Sequence, residues 1–272
     1  MATELYHEVC GAGPPVFVIG GIHMDHRYFR PWLDRLSDVA TVVYIDLPGT
    51  GKSPHPDNWD EVTHQSITND VGRLADSLGH ERFILLGHSY GGYLAQELAL
   101  AHPSRLSGLI LCSTGPALDY PDVIMANAQE RATAAQMESV VSGLTQPSEN
   151  TQQLTEIWLD ILPLYFWKYE DQFHDFFADE VSYSAPAFNR AYFSLLPHCN
   201  TEDRLKDVAV PTLLITGRHD WITPVEYGSR RLNERLPNSE LIVFENSGHF
   251  PFIEEKERFA ATVTDWIVKN SK

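Results

Sequence analysis

The sequence of 272 residues contains little cysteine and few basic residues. Its three cysteines, Cys10, Cys112 and Cys199, are an odd number without a C-x-x-C spacing. This argues against a disulfide framework and a zinc site, and it fits a reducing compartment. Lys and Arg number 20 against 37 Asp and Glu, so the formal net charge is −17. Because this charge repels phosphate backbones and anionic membrane surfaces, we expect no nucleic-acid and no membrane partner.

Long apolar runs are missing as well. No stretch reaches the roughly 20 apolar residues that a membrane-spanning helix needs. The first residues, MATELYHEVCGAG, carry glutamates where a secretory leader would have a basic end and an apolar run. Since 43% of the residues are hydrophobic, the chain can still bury a substantial core. The composition predicts a soluble, cytoplasmic protein, and we expect a monomer or a homodimer.

Short apolar runs alternate with amphipathic ones along most of the chain. The apolar runs occupy residues 14–21, 41–49, 82–89, 107–113, 211–220 and 240–249. Runs that are apolar on both faces are typical of strands in a buried parallel sheet. Helices are expected between and after them, among others over residues 24–38, 224–237 and 255–270. The alternation predicts an α/β fold with a doubly wound, mostly parallel sheet.

The alternation of strands and helices stops between residues 117 and 203. This stretch is rich in aromatic residues, has a helical pattern and supplies no predicted strand. We therefore predict that residues 117–203 form an inserted helical cap over one end of the sheet. Residues 1–116 and 204–272 then form the core domain.

One serine stands in an unusual place. In the sequence GHSYGG, residues 87–92, Ser89 occupies the middle of a G-x-S-x-G turn between an apolar strand and a helix. An Asn-Gly or Asp-Gly pair would be enough for an ordinary turn. This turn lifts the Ser89 hydroxyl above the sheet and leaves the amide of Tyr90 at the helix start, where the helix dipole favours a developing anion. The pattern predicts a nucleophile at Ser89 and an oxyanion donor at Tyr90.

Asp220 and His249 follow two later strands, at the end of the sheet where open parallel sheets bind their ligands. A serine hydroxyl needs a base to take its proton, and the base needs an acid to hold its tautomer. The chain order Ser89, Asp220, His249 is the usual one for this turn. Asp119, the nearest acid after the strand at 107–113, lies too far along the chain. We predict a catalytic triad of Ser89, Asp220 and His249.

A second oxyanion donor is expected in the loop after the first predicted strand. Hydrolases of this kind stabilise the oxyanion of a tetrahedral intermediate with preorganised N–H donors. The Gly20-Gly21 pair allows this loop to approach closely. The donor is therefore the amide of Gly21 or that of Ile22.

With these motifs, the sequence resembles the α/β-hydrolase superfamily over essentially its whole length. It is most similar to proline-iminopeptidase-like serine hydrolases, whose first loop reads H-G-G-P-G followed by x-x-H-x-Y. This chain has IGGIHMDHRYF there, and the segments DLPGTGKS and LPLYF also fit that family. Ile19 replaces the histidine, and the serine turn has G-H-S-Y-G where the peptidases commonly have G-G-S-W-G. The resemblance implies the fold and the triad, but not specificity for proline.

The peptidases of that family bind the free amine of their substrate through carboxylates of the cap. By this resemblance, the candidates are Glu156, Asp160, Glu170 and Asp171. In an acidic chain, the same carboxylates can instead form a solvated face.

Five residues are candidates for substrate binding: His23, Trp158, Phe166, Trp167 and Tyr192. His23 either points into the pocket and bonds the substrate or its leaving group, or faces solvent or caps the next helix. The aromatic residues either line an apolar pocket or form the core of the cap itself. His88, beside the nucleophile, is expected to pack beneath the turn.

The sequence thus predicts a serine hydrolase without cofactor or metal. Its substrate is a small, largely apolar carboxylic ester, lactone or amide, cleaved through an acyl-enzyme. Three alternatives stay open. One is an aminopeptidase or amidase like proline iminopeptidase, and the second is a lyase or cofactor-free oxygenase of the same fold that uses the histidine as a base. The third is a ligand-binding module with little turnover.

Overall fold

A seven-stranded sheet forms the centre of the structure, a computed structural model that describes residues 4–270. Its strands are β1 (His7–Cys10), β2 (Pro15–Ile19), β3 (Thr41–Ile45), β4 (Phe83–His88), β5 (Leu106–Cys112), β6 (Thr212–Gly217) and β7 (Ser239–Phe244). They lie in the order β1-β3-β2-β4-β5-β6-β7. Strand β1 pairs antiparallel with β3, and all other neighbours pair in parallel. The predicted fold class is confirmed, and β1 is an additional edge strand that the apolar runs did not indicate.

Helices connect most of the strands, and further helices lie in the segment between β5 and β6. In the described part of the chain, the α-helices are α1 (His64–Ser77), α2 (Tyr90–Ala101), α3 (Pro121–Arg131), α4 (Ala134–Thr145), α5 (Thr151–Ile161), α6 (Asp171–Asp179), α7 (Ala185–Asn189), α8 (Ser229–Arg235), α9 (Pro251–Glu254) and α10 (Lys256–Asn270). A π-helix at Arg190–Leu195 follows α7. Short 3-10 helices occur at His26–Phe29, Asp34–Asp38, Trp59–Glu61, Pro103–Arg105, Leu162–Tyr165, Leu196–His198 and Glu202–Asp207.

Two of the predicted helices differ from the structure. The helix expected over residues 24–38 is wrong, because two separate 3-10 helices lie on either side of Pro31. Proline has no N–H donor and its ring clashes with the preceding turn, so an α-helix does not continue through it. The helix expected over residues 224–237 is shorter than predicted and begins after Gly228, whose backbone angles are not helical.

Successive residues of each strand pack into two different cores. In β2, Val16 and Val18 join the core on one face of the sheet, whereas Phe17 and Ile19 join the core on the other face. This follows from the two-residue period of a strand. Because helices cover both faces, strands β4 and β6 are buried along their whole length and consist mostly of apolar residues, as the sequence predicted.

The segment between β5 and β6 contributes helices rather than strands to the described part of the chain. Residues of α4, α5 and α7 line the same cavity as Ser89, which directly follows β4. The segment is also joined to the loop after β2 by a β-bridge between Met24 and Tyr183. The cap boundaries at residues 117 and 203 remain a prediction. Within residues 4–270, no helix has both the length and the apolar character needed to cross a bilayer.

Candidate active site

Ser89 lies in a strained turn between β4 and α2. Its backbone angles are φ 55° and ψ −120°, a region that residues with a side chain seldom adopt. At the two flanking glycines there is no room for a side chain. A Cβ atom on Gly87 would collide with the backbone of Gly91, and one on Gly91 would collide with the carbonyl oxygen of Ile19. The local sequence therefore holds the serine above the end of the sheet, as the G-x-S-x-G pattern indicates.

Asp220 and His249 are in direct contact. His249 Nδ1 lies 2.8 Å from Asp220 Oδ2, and both residues are buried. Asp220 also accepts hydrogen bonds from the amides of Ile222 and Thr223 and from the Thr223 hydroxyl. Burial alone would raise the pKa of Asp220, but the attraction to His249 and the hydrogen bonds from His249 and Thr223 lower it below its ordinary value. The carboxylate stays ionised, so Nδ1 of His249 carries a proton and Nε2 is left as the basic nitrogen.

The turn that carries Ser89 and the histidine of the Asp–His pair meet at one cavity. Ser89 and His249 both line it, together with Ile22 and Tyr90. The amide of His249 donates to the carbonyl oxygen of Tyr165 at 2.6 Å, so the histidine loop is held by the segment predicted as the cap. The loop after β2, the turn after β4 and the loop after β7 thus line one cavity at the carboxyl end of the sheet.

One of the two alternatives for the second oxyanion donor is corrected by the structure. The amide of Gly21 donates to the hydroxyl oxygen of Tyr28 at 2.8 Å, so this donor is already engaged. The amide of Ile22 has no hydrogen-bond acceptor within residues 4–270, and Ile22 lines the cavity. The amide of Tyr90, as the first of its helix, has no partner inside the helix. Ile22 and Tyr90 are therefore the available pair.

His88 lies beneath the turn, as expected, and it is fully buried. Its Nδ1 is 2.9 Å from the Tyr28 hydroxyl, and its Nε2 is 2.9 Å from the carbonyl oxygen of His249. Burial lowers the pKa of His88 well below its ordinary value, and the neighbouring His249 lowers it further. His88 is thus a neutral hydrogen-bonding group that joins two loops of the site.

The cavity is largely apolar and has about 830 Å³ of empty space, part of it open to solvent. Of the predicted substrate-binding residues, His23, Trp158 and Tyr192 line it. Among the residues that the structure describes, no Lys, Arg, Asp or Glu side chain lines it. The cavity therefore suits an uncharged ligand group.

Two of the predicted substrate-binding residues lie elsewhere. Phe166 is buried in an aromatic core, with its ring stacked on that of Phe173 at 4.7 Å between centroids. Trp167 is 43% exposed and stacks on His219. Both predictions are wrong for the same reason. The chain turns after Tyr165, so residues that follow one another in sequence point to different sides.

The four carboxylates of the predicted cap also lie outside the cavity. Glu156, Asp160 and Asp171 border a separate depression on the surface. Glu170 is exposed and accepts a hydrogen bond from Gln172. The proposed binding of a substrate amine by these residues has no geometric support at the Ser89 cavity.

One face of α5 lines the cavity, and of its residues the sequence analysis identified only Trp158. Its members recur at helical spacing: Leu154, Ile157, Trp158 and Ile161. This spacing was visible in the sequence as an apolar stripe. What the sequence lacked was a signal that the stripe faces a cavity rather than a packed core.

His23 does not face solvent, and it does not cap a helix. It is buried to 3% exposure and lines the cavity, where burial lowers its pKa to about 3. Neither ring nitrogen has a hydrogen-bond partner within the described residues. The alternative in which His23 points into the pocket is the one that agrees with the structure.

A group of possible metal ligands occurs away from this cavity. The ligand atoms of His64, Glu97 and Cys199 lie within 4.8 Å of one another. Arg204 already binds Glu97 with two hydrogen bonds, of 2.6 and 3.2 Å. None of the three residues lines the Ser89 cavity.

The fold and the strained serine at its strand-to-helix turn define a class of enzyme, the serine hydrolases. The sequence matches the family described as alpha/beta hydrolase fold over residues 14–256. The chain therefore belongs to the α/β-hydrolase family.

Similar proteins agree with this assignment. The chain is 26% identical over 272 residues to a pimeloyl-[acyl-carrier protein] methyl ester esterase of Vibrio campbellii, covering 98% of this chain and 99% of the relative. It is 24% identical over 280 residues to a proline iminopeptidase of Pestalotiopsis fici, covering 98% and 97%. Among solved structures, an α/β-fold hydrolase from Bacillus anthracis superimposes with a TM-score of 0.81 at 21% identity, covering 96% of this chain and 94% of that one.

Proposed function

We propose that the protein hydrolyses a small, uncharged and largely apolar carboxylic ester, with Ser89 as the nucleophile, His249 as the base and Asp220 as its orienting acid. The observation that carries this proposal is the contact between Asp220 and His249 at the wall of the cavity into which the strained turn presents Ser89. The ester chemistry is also that of the Vibrio campbellii relative, a methyl ester esterase.

The position of Ser89 and His249 on one cavity supports the steps of an acyl transfer. His249 takes the proton of the Ser89 hydroxyl as its oxygen attacks the ester carbonyl, and Asp220 stabilises the imidazolium that forms. The amides of Ile22 and Tyr90 then bind the oxyanion. His249 returns the proton to the leaving alcohol, and water releases the acyl group by the same route. An oxyanion donor of this kind contributes roughly a hundred- to a thousandfold in rate.

The lining of the cavity defines the substrate class. Since no charged side chain lines it among residues 4–270, a buried carboxylate or ammonium of a ligand would have no counter-charge there. We therefore expect an uncharged group in the cavity, either an open-chain ester or a lactone. An aminopeptidase is disfavoured, since the cap carboxylates do not reach the site.

A substrate panel tests the proposal. The panel contains short acyl esters, lactones and aminoacyl arylamides, each assayed with the wild type and with Ser89→Ala. A fluorophosphonate is added to trap the nucleophile, and the adduct is located by mass spectrometry. We expect ester or lactone turnover, an adduct on Ser89 and neither in Ser89→Ala.

Other outcomes would favour the alternatives. Absence of both turnover and adduct, together with a base-dependent reaction on a non-ester substrate, would indicate lyase or oxygenase chemistry at His249. Ligand-induced stabilisation without any turnover would indicate a binding module.

A further inference from the structure

His23 is a buried polar side chain for which the described residues provide no partner. Both ring nitrogens are inaccessible to solvent and neither forms a hydrogen bond. Buried polar groups in proteins are almost always hydrogen-bonded, so an exception at a functional cavity needs an explanation. The ring lines the cavity that also contains Ser89, where a ligand atom can reach it.

The orientation of His23 is determined by its surroundings. The rings of Trp158 and Phe188 contact it edge-on at 4.7 and 5.4 Å between centroids, and Tyr183 stacks on it at 5.7 Å. Its carbonyl oxygen accepts a hydrogen bond from the amide of Ser184 at 3.0 Å. The next residue, Met24, forms a β-bridge with Tyr183. With the backbone held and three rings around it, the imidazole cannot turn away to find a partner elsewhere.

The position and charge of His23 define what it can bind. It follows Ile22, the proposed oxyanion donor, and its ring lines the same cavity as Ser89. Burial without any counter-charge keeps the imidazole neutral, with a pKa of about 3. A neutral imidazole offers one N–H donor and one acceptor nitrogen. A hydroxyl or keto oxygen matches it, whereas a carboxylate or an ammonium group would be buried without compensation.

We propose that His23 determines specificity by hydrogen-bonding an uncharged oxygen on the substrate chain, so that the natural substrate is an ester bearing a hydroxyl or keto group on an otherwise apolar skeleton. This inference rests on the proposed esterase function and adds the substrate class to it. Apolar contacts come from the α5 face and Phe188, and His23 supplies directional recognition. An ester without the oxygen leaves the imidazole unpaired, and it is therefore the poorer substrate.

Matched methyl esters test this inference. Chains of equal length are compared without an added oxygen, with a hydroxyl at each successive carbon, and with a keto group at the same carbons. For the wild type, we expect kcat/KM for the best oxygenated ester to exceed that for the plain ester by roughly tenfold to a hundredfold. The hydroxyl and keto series show which oxygen the site prefers.

Variants connect the preference to His23. In His23→Phe, which keeps an aromatic ring but removes both polar atoms, the ratio of kcat/KM for the oxygenated ester to kcat/KM for the plain ester should fall towards one. In His23→Asn, which retains a donor and an acceptor, part of the preference should remain. The matched control is His55→Phe at an exposed position, for which the ratio should equal that of the wild type. Melting temperatures confirm that each variant is folded, and His23→Phe should be at least as stable as the wild type because it removes an unpaired buried group.

Two results would overturn the inference: a wild-type ratio near one for every oxygenated ester, or an unchanged ratio in both His23 variants. If no ester is cleaved at all, the proposed function fails on its own. His23 is then judged by the ¹⁵N shift of its ring on adding matched diols and simple alcohols to the wild type. A shift specific to the diols supports the assignment, and equal responses or none reject it.

Discussion

His88 and His249 are joined by a hydrogen bond between the side chain of the first and the main chain of the second, with 2.9 Å between His88 Nε2 and the His249 carbonyl oxygen. A carbonyl can only accept, so Nε2 of His88 carries the proton and Nδ1 is an acceptor. The Tyr28 hydroxyl donates to that Nδ1 and accepts from the amide of Gly21. His88 therefore connects the loop of His249 with the loop of Gly21. The direction of each hydrogen bond in this chain is fixed by the tautomer of His88.

Tyr28→Phe should destabilise the protein. The substitution removes the hydroxyl and leaves the Gly21 amide and His88 Nδ1 buried without a partner. We expect the free energy of unfolding to fall by about 1–3 kcal/mol, measured by urea denaturation. Turnover should fall as well, because Ile22 follows Gly21 in the same loop. Tyr227→Phe, at a 41% exposed position, is the control and should change stability by no more than about 0.5 kcal/mol. Equal effects of the two substitutions would contradict the role of Tyr28.

Ser89→Ala and His249→Ala should each reduce kcat by at least roughly a thousandfold on the best ester, since nucleophile and base act as one unit. The double variant should be little slower than either single one for the same reason. Circular dichroism and the melting temperature should show a folded protein in all three. Turnover at wild-type rates in either single variant would remove that residue from the mechanism.

Asp220→Asn should reduce kcat by roughly ten-thousandfold while preserving the fold. The amide that replaces the carboxylate donates a hydrogen bond towards Nδ1 of His249, and the imidazole proton then moves to Nε2, the nitrogen that must accept from Ser89. The ¹⁵N shifts of His249 should report this exchange of tautomers. A variant with the wild-type tautomer and near-normal kcat would show that another group orients the histidine.

Stability should depend on pH through Glu254. This carboxylate accepts hydrogen bonds from the amides of Trp167, Lys168 and Gly248, yet burial raises its pKa from 4.5 to about 7. A carboxyl with a raised pKa in the folded state favours folding below its unfolded pKa, and this contribution is lost as pH rises through the folded value.

The measurement compares the wild type with Glu254→Gln. The difference in unfolding free energy, wild type minus variant, should decrease as pH rises from about 4.5 to about 7 and level off above that range. Glu257→Gln, at an exposed position in α10, is the control variant. A difference for Glu254→Gln that does not change with pH would contradict the raised pKa.

Several features of the site follow from patterns that are visible in the sequence. Ser89 was recognisable because its turn needs glycine at positions 87 and 91, a requirement that follows from steric contact between neighbouring segments. The contact between Asp220 and His249 was predictable because each residue follows an apolar strand, and parallel strands bring their carboxyl ends to one edge. The prediction of a helix over residues 24–38 was wrong because it relied on the apolar pattern and neglected Pro31, which interrupts an α-helix.

The sequence alone determined the alternation of core strands with helices, the G-x-S-x-G turn and the chain order of Ser89, Asp220 and His249. Strand and helix periods can be read over a few residues, and parallel strands bring their carboxyl ends to one edge. Only the tertiary structure decided that Gly21 is engaged and Ile22 available, that Phe166 and Trp167 turn away from the cavity, and that His23 is buried without a partner. Each of these three features depends on contacts with side chains from distant segments of the chain. Such contacts are fixed only when the folded chain is closely packed.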